Sequence, residues 1–481
     1  MQLEPCPGVP SERLMASRVA VRSAGRGAAR GPKATDLWSG SRHTPSGGWG
    51  VARSHARASY GDLGDAIEAS GLPGQGDTES TSMTDTKTWL EWSAQYLMNT
   101  YARNPLVLVR GEGTRVWDSD GKEYLDFVGG IAVDALGHSH PKVVAAITEQ
   151  AGRVIQVSNL YHIAPQIELA KLLTEHSFAD KVFFCTSGAE ANEGAIKLAR
   201  RYGKERFATD RYEIITMRGG FHGRTLAALA ATAQEKHHHG FEPLPIGFKY
   251  VAFGDLQAVE QAVDNRTCAI LVEPVQGEGG VNVPGDEYLP GLRKLCDETG
   301  ALLILDEIQS GMGRTGRLWA YQHWGAEPDV MTVAKALGGG VPIGAILAKE
   351  FVAKHLTPGS HGSTFGGNSL ATATALAVLT TMLEENLPAR AERMGRRLKE
   401  RLTALKQKYP VIRMVRGLGL LIGMELDRPV KEIVASCQAD GLLILTAGDN
   451  VLRFVPPLIV DDVELDRAVE ILDTVLGRSL P

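Results

Sequence analysis

One lysine in the sequence stands in a setting suited to covalent chemistry. Lys335 lies among apolar residues in MTVAKALGGGVPIGA and is followed, two residues later, by three glycines. Burial lowers the pKa of a lysine and makes its amine nucleophilic, which Schiff-base chemistry requires. A lysine that reaches solvent from a strand end is the common alternative, but it does not explain the glycines. The segment therefore predicts a Schiff-base lysine.

Asp306 is a candidate for holding a nitrogen heterocycle. It ends the strand-like part of ALLILDEI, a short apolar segment typical of buried parallel strands. Ligands of open α/β sheets bind at the carboxyl ends of the strands, where a buried carboxylate could keep a heteroaromatic nitrogen protonated. A helix cap or a structural ion pair is the competing interpretation.

The segment TSGAEANEGAIKLAR predicts an anion site. Ser187 and Gly188 stand between a predicted strand, Lys181–Cys185, and a helix expected to begin near Ala189 and end at Gly203. The N–H groups and the dipole at a helix N-terminus suit a phosphate. A serine N-cap followed by a tight turn is the alternative.

Three further segments supply side chains that could bind a planar cofactor, a carboxylate or a phosphate, although each signal is weak alone. An aromatic ring can stack on a planar group, and an arginine can form two parallel bonds with a carboxylate. The residues are Phe221 and Arg224 in GGFHGRT, Glu273, Gln276 and Glu278 in EPVQGEGG, and Ser363 and Thr364 in HGSTFGGN.

Residues 311–316 read GMGRTG and match the GxGxxG pattern of NAD-dependent dehydrogenases. That fingerprint should lie directly at a strand-to-helix turn. Here four residues separate it from Asp306, and the Arg-Thr-Gly that ends it indicates a loop. A dehydrogenase would also leave Lys335 without a role, so the match is interpreted as coincidental.

Two groups of histidines resemble metal ligands only superficially. His138 and His140 form an HxH pair, but no further ligand follows at a suitable spacing. Pro141 suits the first position of a helix, which predicts a turn before that helix. His237–His239 lie in a polar stretch and are interpreted as solvated. No metal site is predicted.

Composition excludes several other classes of protein. The chain has 481 residues, 43% of them hydrophobic, and a net charge of −5. This balance predicts neither nucleic-acid binding nor a polybasic membrane signal, and no apolar run approaches the roughly 18–20 residues that span a bilayer. Five scattered cysteines without a CxxC pair indicate reduced thiols and a cytoplasmic location.

The composition changes near Met83. Residues 1–82 are rich in Gly, Ser, Ala and Arg and lack a helical or strand period, which predicts disorder. The segment could be an organelle transit sequence. Acidic stretches such as YGDLGDAIEAS favour the other interpretation, in which Met83 begins the folded protein.

Beyond Met83, helical and strand signals alternate, which predicts an α/β core with a mainly parallel sheet. From about Thr380, a long charged helix precedes GLGLLIGMEL and NVLRFVPPLIV, which favours a smaller α+β domain. The predicted domains are an N-terminal part of the small domain at 83–135, a large domain at 136–378 and the rest of the small domain at 379–481.

Six segments in fixed order resemble the class III aminotransferases, over residues 95–477. They are SGAEANEGAIKLAR, FHGRT, EPVQGEGG, LILDEIQSGMGRTG, AKALGGGVPIGA and RFVPPL. The resemblance implies pyridoxal 5′-phosphate (PLP) as cofactor. It also implies fold type I, with a mainly parallel seven-stranded sheet and a small domain built from both chain ends.

The resemblance also implies roles for single residues. Lys335 would bond covalently to PLP and carry protons during the reaction, and Asp306 would pair with the ring nitrogen. Contacts with the rest of the cofactor would come from Gln309 at the ring hydroxyl, Phe221 at the ring face, Glu273, and Ser187, Gly188 and Ala189 at the phosphate. Thr364 would reach the phosphate of a neighbouring subunit, which implies a homodimer with shared sites.

Within the family, FVGGIAVDALGHSHP and SNLYH are most similar to the acetylornithine group. Ile131 fills a position where ornithine-specific members usually carry a tyrosine, whereas Asp134 departs from the group's small or amide residue. The implied reaction moves the distal amine of N-acetyl-L-ornithine to 2-oxoglutarate in arginine biosynthesis, and N-succinyl-diaminopimelate is a further donor. Ornithine and 4-aminobutyrate aminotransferases are the alternatives within the family.

The charges of the two substrates suggest how one pocket takes both. Arg224 would bind the carboxylate distant from the reacting amine, and Arg453 in RFVPPL the near carboxylate of glutamate. Glu278 would neutralise Arg453 when no carboxylate is near, because an unpaired buried cation is costly. Ser363 is a further expected substrate contact.

Overall fold

The structure is a computed structural model that describes residues 85–208 and 210–479. Its strands are β1 (Leu108–Glu112), β2 (Arg115–Asp118), β3 (Glu123–Asp126), β4 (Lys181–Cys185), β5 (Glu213–Met217), β6 (Phe248–Val251), β7 (Thr267–Val272), β8 (Leu302–Asp306), β9 (Val330–Val333), β10 (Gly344–Ala348), β11 (Ile412–Leu418), β12 (Leu421–Leu426), β13 (Leu442–Leu443), β14 (Leu445–Thr446) and β15 (Val451–Phe454). Its α-helices are α1 (Thr86–Tyr96), α2 (Gly129–Ala132), α3 (Pro141–Ala151), α4 (Ala164–Glu175), α5 (Gly188–Arg206), α6 (Leu226–Ala231), α7 (Leu256–Ala262), α8 (Tyr288–Thr299), α9 (Glu350–Ala353), α10 (Ser369–Glu384), α11 (Leu387–Lys408), α12 (Lys431–Ala439) and α13 (Asp462–Ser479).

Seven strands form the central sheet, in the order β4-β10-β9-β8-β7-β5-β6. The five strands from β9 to β6 run parallel, and β10 runs antiparallel to both of its neighbours. The predicted mainly parallel seven-stranded sheet is therefore confirmed. Because the parallel strands end at one edge, that edge is where a ligand site is expected.

The strands are apolar throughout because both faces of the sheet are covered. Along β8, Ile304 packs in a cluster with side chains of α5, whereas Leu303 and Leu305 pack in a second cluster with side chains of α8. Fully burying one such side chain contributes about 1.5–3 kcal/mol. This two-sided burial fixes the position of Asp306, the last residue of β8.

Helix α5 corrects one local prediction. The helix continues to Arg206 instead of ending at Gly203. Gly203 faces a crowded wall, since a Cβ there would lie 2.5 Å from the carbonyl oxygen of Arg211 and 2.8 Å from Cβ of Cys268. The glycine therefore permits close helix packing and does not end the helix. The other boundary predictions for β4 and for Pro141 at the first position of α3 are confirmed.

Two smaller sheets complete the fold. In the sheet β1-β2-β3-β13, β13 from the C-terminal part of the chain pairs in parallel with β3 from the N-terminal part, so both parts share this sheet. The antiparallel sheet β11-β12-β15-β14 follows the charged helix α11. These elements form the expected smaller α+β part.

The described residues group into one compact unit, and the boundaries at 135/136 and 378/379 stay predictions. The prediction of disorder for residues 1–82 lies outside the described residues. Among the helices of the described ranges, none is long and apolar enough to cross a membrane. No group of three or more potential metal-ligating side chains occurs within those same ranges.

Candidate active site

A cavity of about 400 Å³ opens at the carboxyl edge of the central sheet. It gathers residues from β8, from the start of α5 and from the loops after β4, β5, β7 and β9. All but four of the predicted site residues line it, namely Ser187, Gly188, Ala189, Phe221, Arg224, Glu273, Glu278, Asp306, Gln309 and Lys335. The exceptions are Gln276, Ser363, Thr364 and Arg453.

Lys335 lies two residues after β9, where a 3₁₀ turn spans Lys335–Leu337. Its φ of 43° lies in the left-handed region, which is strained for a residue with a side chain. Burial lowers the pKa of Lys335, and the nearby Arg453 guanidinium adds to the effect. The cavity therefore favours the neutral, nucleophilic amine.

Asp306 is held by three donors. Its Oδ2 accepts hydrogen bonds from Nδ2 of Asn192 at 2.8 Å and from Nδ1 of His222 at 2.8 Å. Its Oδ1 accepts from the backbone N–H of Ile308 at 3.1 Å. A carboxylate fixed in this way cannot turn away from the cavity that it lines. Asn192 is itself oriented by the hydroxyl of Thr332, which donates to its Oδ1 at 2.8 Å.

Sequence reasoning missed Asn192 and His222. Asn192 lies one helical turn after Gly188 and is fully buried. A polar amide on the buried face of α5 is the sequence feature that could have indicated its role. His222 adjoins Phe221 within a segment already singled out. Burial alone would lower the pKa of His222, but the carboxylates of Asp306 and Glu273 hold it above its ordinary value. His222 therefore fixes the carboxylate of Asp306 through a hydrogen bond at 2.8 Å.

Glu273 supports the loop that carries Phe221. Its Oε2 accepts from the backbone N–H of Phe221 at 3.0 Å, and its Oε1 from that of Gly277 at 3.3 Å. Burial raises the pKa of Glu273 to about 7, although His222 opposes the shift. The geometry thus gives Glu273 a supporting contact behind the aromatic wall of the cavity.

The N-terminus of α5 forms another wall. Ser187 is the N-cap, and its hydroxyl accepts from the backbone N–H of Glu190 at 3.2 Å. The N–H groups of Gly188 and Ala189 belong to the first turn, where helical N–H groups have no intrahelical partner. A Cβ on Gly188 would lie 2.8 Å from Cδ1 of Ile308, so only glycine lets the helix approach this closely.

Arg453 lies behind the cavity wall and is almost fully buried at 2% exposure. Its Nη1 donates to Oε1 of Glu278 at 2.5 Å and to Oε1 of Gln309 at 3.0 Å, and its Nη2 donates to Oε2 of Glu278 at 3.2 Å. Burial alone would raise the pKa of Glu278, but the Arg453 guanidinium lowers it below its ordinary value. The sequence-predicted contact of these two charges is therefore present.

Arg224 differs from Arg453 in its surroundings. It is exposed, its guanidinium carbon lies 5.4 Å from the centre of the Phe221 ring, and its Nη2 lies 3.5 Å from Nε2 of His237. No ion pair to Arg224 forms within residues 85–208 and 210–479. Arg224 is therefore a cation available to a ligand carboxylate.

Ser363 and Thr364 do not reach the cavity of their own chain. Thr364 is exposed, and its carbonyl accepts a hydrogen bond from the side chain of Gln156. Asn159 Nδ2 donates to the carbonyl of Ser363 at 3.2 Å. The loop between α9 and α10 and the loop before α4 are thus joined by hydrogen bonds outside the lining of the cavity.

The competing motifs have structural explanations. Residues 311–316 form turns, and no helix begins at them, so the GxGxxG match lacks the context that a dinucleotide requires. His138 Nε2 lies 2.8 Å from Oδ2 of Asp126, and His238 Nε2 lies 2.7 Å from the carbonyl oxygen of Thr232. These histidines have partners within the protein.

The cavity fits PLP on the chemistry of its walls. It combines a neutral lysine, an anchored carboxylate, an aromatic ring and the open N–H groups of a helix N-terminus. In that arrangement Lys335 would hold the cofactor, Asp306 would face its ring nitrogen, Phe221 its ring and Ser187–Ala189 its phosphate. When bound, PLP supplies an electron sink for the carbon that carries the amine.

The comparisons with known proteins agree with this fit. A family model described as aminotransferase class-III matches residues 96–476. The acetylornithine aminotransferase of Caldanaerobacter subterraneus subsp. tengcongensis is 53% identical over 390 residues, covering 81% of this chain and 99% of that protein. That of Methanocaldococcus jannaschii is 51% identical over 387 residues, covering 80% and 97%.

A solved structure of the Toxoplasma gondii ornithine aminotransferase, described with partial occupancy of PLP at its active site, superposes with a TM-score of 0.78. It is 35% identical, and the match covers 82% of this chain and 95% of that chain. Fold and site together define a PLP-dependent transferase of fold type I. More narrowly, the chain belongs to the class III aminotransferases, which act on small amino and keto acids.

Proposed function

We propose that the protein transfers the distal amino group of N-acetyl-L-ornithine to 2-oxoglutarate, forming N-acetyl-L-glutamate 5-semialdehyde and L-glutamate. The observation that carries the proposal is the unequal state of two arginines. Arg224 is free, whereas Arg453 is neutralised by Glu278. A donor with one distant carboxylate and none beside the reacting amine suits this pair.

Lys335 moves the proton in the reaction. Burial lowers the pKa of its Nζ amine, so Nζ could accept and return the proton that the substrate carbon gives up, with bound PLP supplying the electron sink. Asp306 would hold the proton on the ring nitrogen of PLP, because its carboxylate is fixed by Asn192, His222 and the backbone of Ile308.

The remaining side chains orient the reactants. Phe221 would pack against the face of the PLP ring, and Gln309 would contact its ring oxygen. The N–H groups at the start of α5 would bind the phosphate, where the helix dipole favours negative charge. Holding the reacting atoms in place in this way raises the reaction rate, because it lowers the entropic cost of reaching the transition state.

The two arginines divide the substrates between them. Arg224 binds the carboxylate distant from the amine in both N-acetylornithine and glutamate. Arg453 binds the α-carboxylate of glutamate, which displaces the carboxylate of Glu278 as its partner. When N-acetylornithine is bound, Glu278 stays on Arg453 and prevents an unpaired charge in a buried setting. Ser363 does not line the cavity of its own chain. We therefore propose that it contacts the substrate bound in the partner subunit.

Two curated acetylornithine aminotransferases at 53% and 51% identity support the choice of donor. Ile131 supports it too, because the position lacks the aromatic hydroxyl expected of ornithine-specific members. Ile131 is 42% exposed and lies in α2, two residues before Val133, which lines the cavity.

We also infer a homodimer in which Thr364 contributes to the phosphate site of the partner. An exposed apolar patch supports this inference. Leu160 is 85% exposed, Tyr161 68% and Phe365 62%, and hydrogen bonds join their loops. Exposed patches of this kind typically mark interfaces. A cytoplasmic location is proposed from the described cysteines, which are free and buried.

A donor panel tests the proposal. The purified protein, supplied with PLP and 2-oxoglutarate, should form glutamate fastest from N-acetylornithine, more slowly from N-succinyl-diaminopimelate, and slowest from ornithine and 4-aminobutyrate. A preference for free ornithine over the acetylated donor would contradict the substrate assignment and leave the class of enzyme unchanged. Light scattering of the same sample would measure its molar mass in solution and so test the dimer.

A further inference from the structure

A histidine that the proposed reaction does not use lies against the free arginine. His237 occupies a 3₁₀ turn, Glu235–His237, in the loop that follows α6. Its Nε2 lies 3.5 Å from Nη2 of Arg224, a contact longer than an ordinary hydrogen bond. An arginine nitrogen can only donate, so His237 must be the acceptor.

The turn that carries His237 is tied to the loop that carries Arg224. His238 Nε2 lies 2.7 Å from the carbonyl oxygen of Thr232, and the hydroxyl of Thr232 accepts from the backbone N–H of His222 at 2.9 Å. Gln234 Nε2 donates to the carbonyl of Gly220 at 3.0 Å. The position of His237 beside Arg224 therefore follows from a network and not from one flexible side chain.

Burial and the charges around His237 favour its neutral imidazole. Burial lowers the pKa of His237, and the positive charges of Arg224, Lys236 and His238 lower it further. A neutral imidazole whose Nε2 carries no proton is the form that accepts a bond from a guanidinium. Arg224 is thus held on two sides, by the ring of Phe221 and by His237.

We propose that His237 is a positioning residue of the substrate-carboxylate subsite, which accepts a hydrogen bond from Arg224 and fixes its guanidinium toward the cavity. The proposal rests on the proposed function, since it assigns Arg224 to the distant carboxylate. An arginine that is already oriented loses less side-chain freedom when a carboxylate binds, which strengthens binding without changing the chemical step.

The test compares two donors that differ only in that carboxylate. N-acetylornithine carries it, and N-acetyl-1,4-diaminobutane lacks it. Replacing His237 by leucine should raise the KM for N-acetylornithine about fivefold to tenfold, the effect of losing one ordinary hydrogen bond. The kcat should stay within about twofold, and kcat/KM for N-acetyl-1,4-diaminobutane should not change.

Two further variants separate positioning from general damage. His237→Gln keeps an acceptor oxygen and should restore a KM near that of the wild type. His239→Gln changes an exposed histidine of the same run and should have no effect. Calorimetry with glutarate measures binding independently of turnover. The Kd for glutarate should rise about fivefold to tenfold in His237→Leu and stay unchanged in His237→Gln and His239→Gln.

The inference is overturned if His237→Leu leaves the KM and the glutarate Kd unchanged, or if it impairs both donors equally. Failure of the proposed function gives a different result. In that case wild-type protein would not convert N-acetylornithine at all, whereas the glutarate measurement would still report on His237 and Arg224.

Discussion

The two arginines of the site occupy contrasting surroundings. Arg453 lies on β15 within an antiparallel sheet, is 2% exposed, and contacts Glu278 and Gln309 through short hydrogen bonds. Arg224 lies on the loop between β5 and α6, is exposed, and has Phe221 and His237 as neighbours. One cation is paired by the protein, and the other is left for the ligand.

This difference explains how one cavity could serve two substrates of unequal charge. A buried guanidinium without a counter-ion is strongly unfavourable, so Arg453 requires Glu278 whenever a substrate brings no carboxylate to it. An exposed guanidinium is hydrated and has no such requirement. Under the proposed function, the protein would therefore need an exchange of carboxylates at Arg453 and only orientation at Arg224.

The contrast drawn between the two arginines would be refuted most clearly if Arg224 were not needed for activity. Arg224→Ala should lower kcat/KM about 100-fold for both N-acetylornithine and glutamate, because both lose a charged pair with two parallel bonds. Stopped-flow measurement of each half-reaction would give the two values. Arg224→Lys serves as the matched variant and should recover only part of the loss, since lysine lacks the fork. An effect confined to one substrate would contradict the assignment.

Arg453→Ala separates the two substrates. It should lower kcat/KM for glutamate about 30-fold while changing that for N-acetylornithine less than about threefold, because only glutamate places a carboxylate there. The ratio of the two half-reaction constants is the measured quantity. Equal impairment of both would show that the arginines do not divide the substrates.

Glu278→Gln sharpens the comparison by removing charge and keeping shape. Arg453 would then be left unneutralised beside N-acetylornithine, so the KM for this donor should rise about tenfold while the KM for glutamate stays within about twofold. Steady-state kinetics with each substrate varied in turn would test this. If Glu278→Gln instead raised the KM for glutamate and left the KM for N-acetylornithine unchanged, Glu278 would be excluded as the neutralising group.

Gly277→Ala should give the smallest effect. A Cβ there would lie 2.0 Å from Oε1 of Gln309, which is the atom that accepts from Arg453. Displacing Gln309 should raise the KM for glutamate about threefold by loosening one hydrogen bond, without changing binding at Arg224. Gly285→Ala is the control, since nothing lies within 4 Å of a Cβ at that exposed position.

Much of this arrangement could be predicted because its signals are local in sequence. Asp306 closes an apolar strand, Lys335 follows another, and Ser187 separates a strand from a helix, so parallel topology alone brings the three to one edge. The alternation of helices and strands likewise predicts the mainly parallel sheet. The residue roles stay predictions until the variants are measured.

What sequence reasoning missed depends on tertiary contacts. Asn192 and His222 are 30 residues apart in sequence, and both form hydrogen bonds with Asp306. Neither sequence segment alone predicts these contacts. Gly203 was predicted to end a helix, yet it lies inside α5 because of packing against Arg211 and Cys268. The role expected of Thr364, by contrast, was implied by the family resemblance, and testing it requires a second chain.

The most direct test is a visible absorption spectrum of the purified protein with PLP, recorded while N-acetylornithine is added without any keto acid. The account predicts that the band of lysine-bound PLP disappears, that the amino form of the cofactor is recovered, and that Lys335→Ala shows neither event. A band that N-acetylornithine leaves unchanged would contradict the substrate assignment. Absence of any lysine-bound PLP band after PLP is added would contradict the role of Lys335 itself.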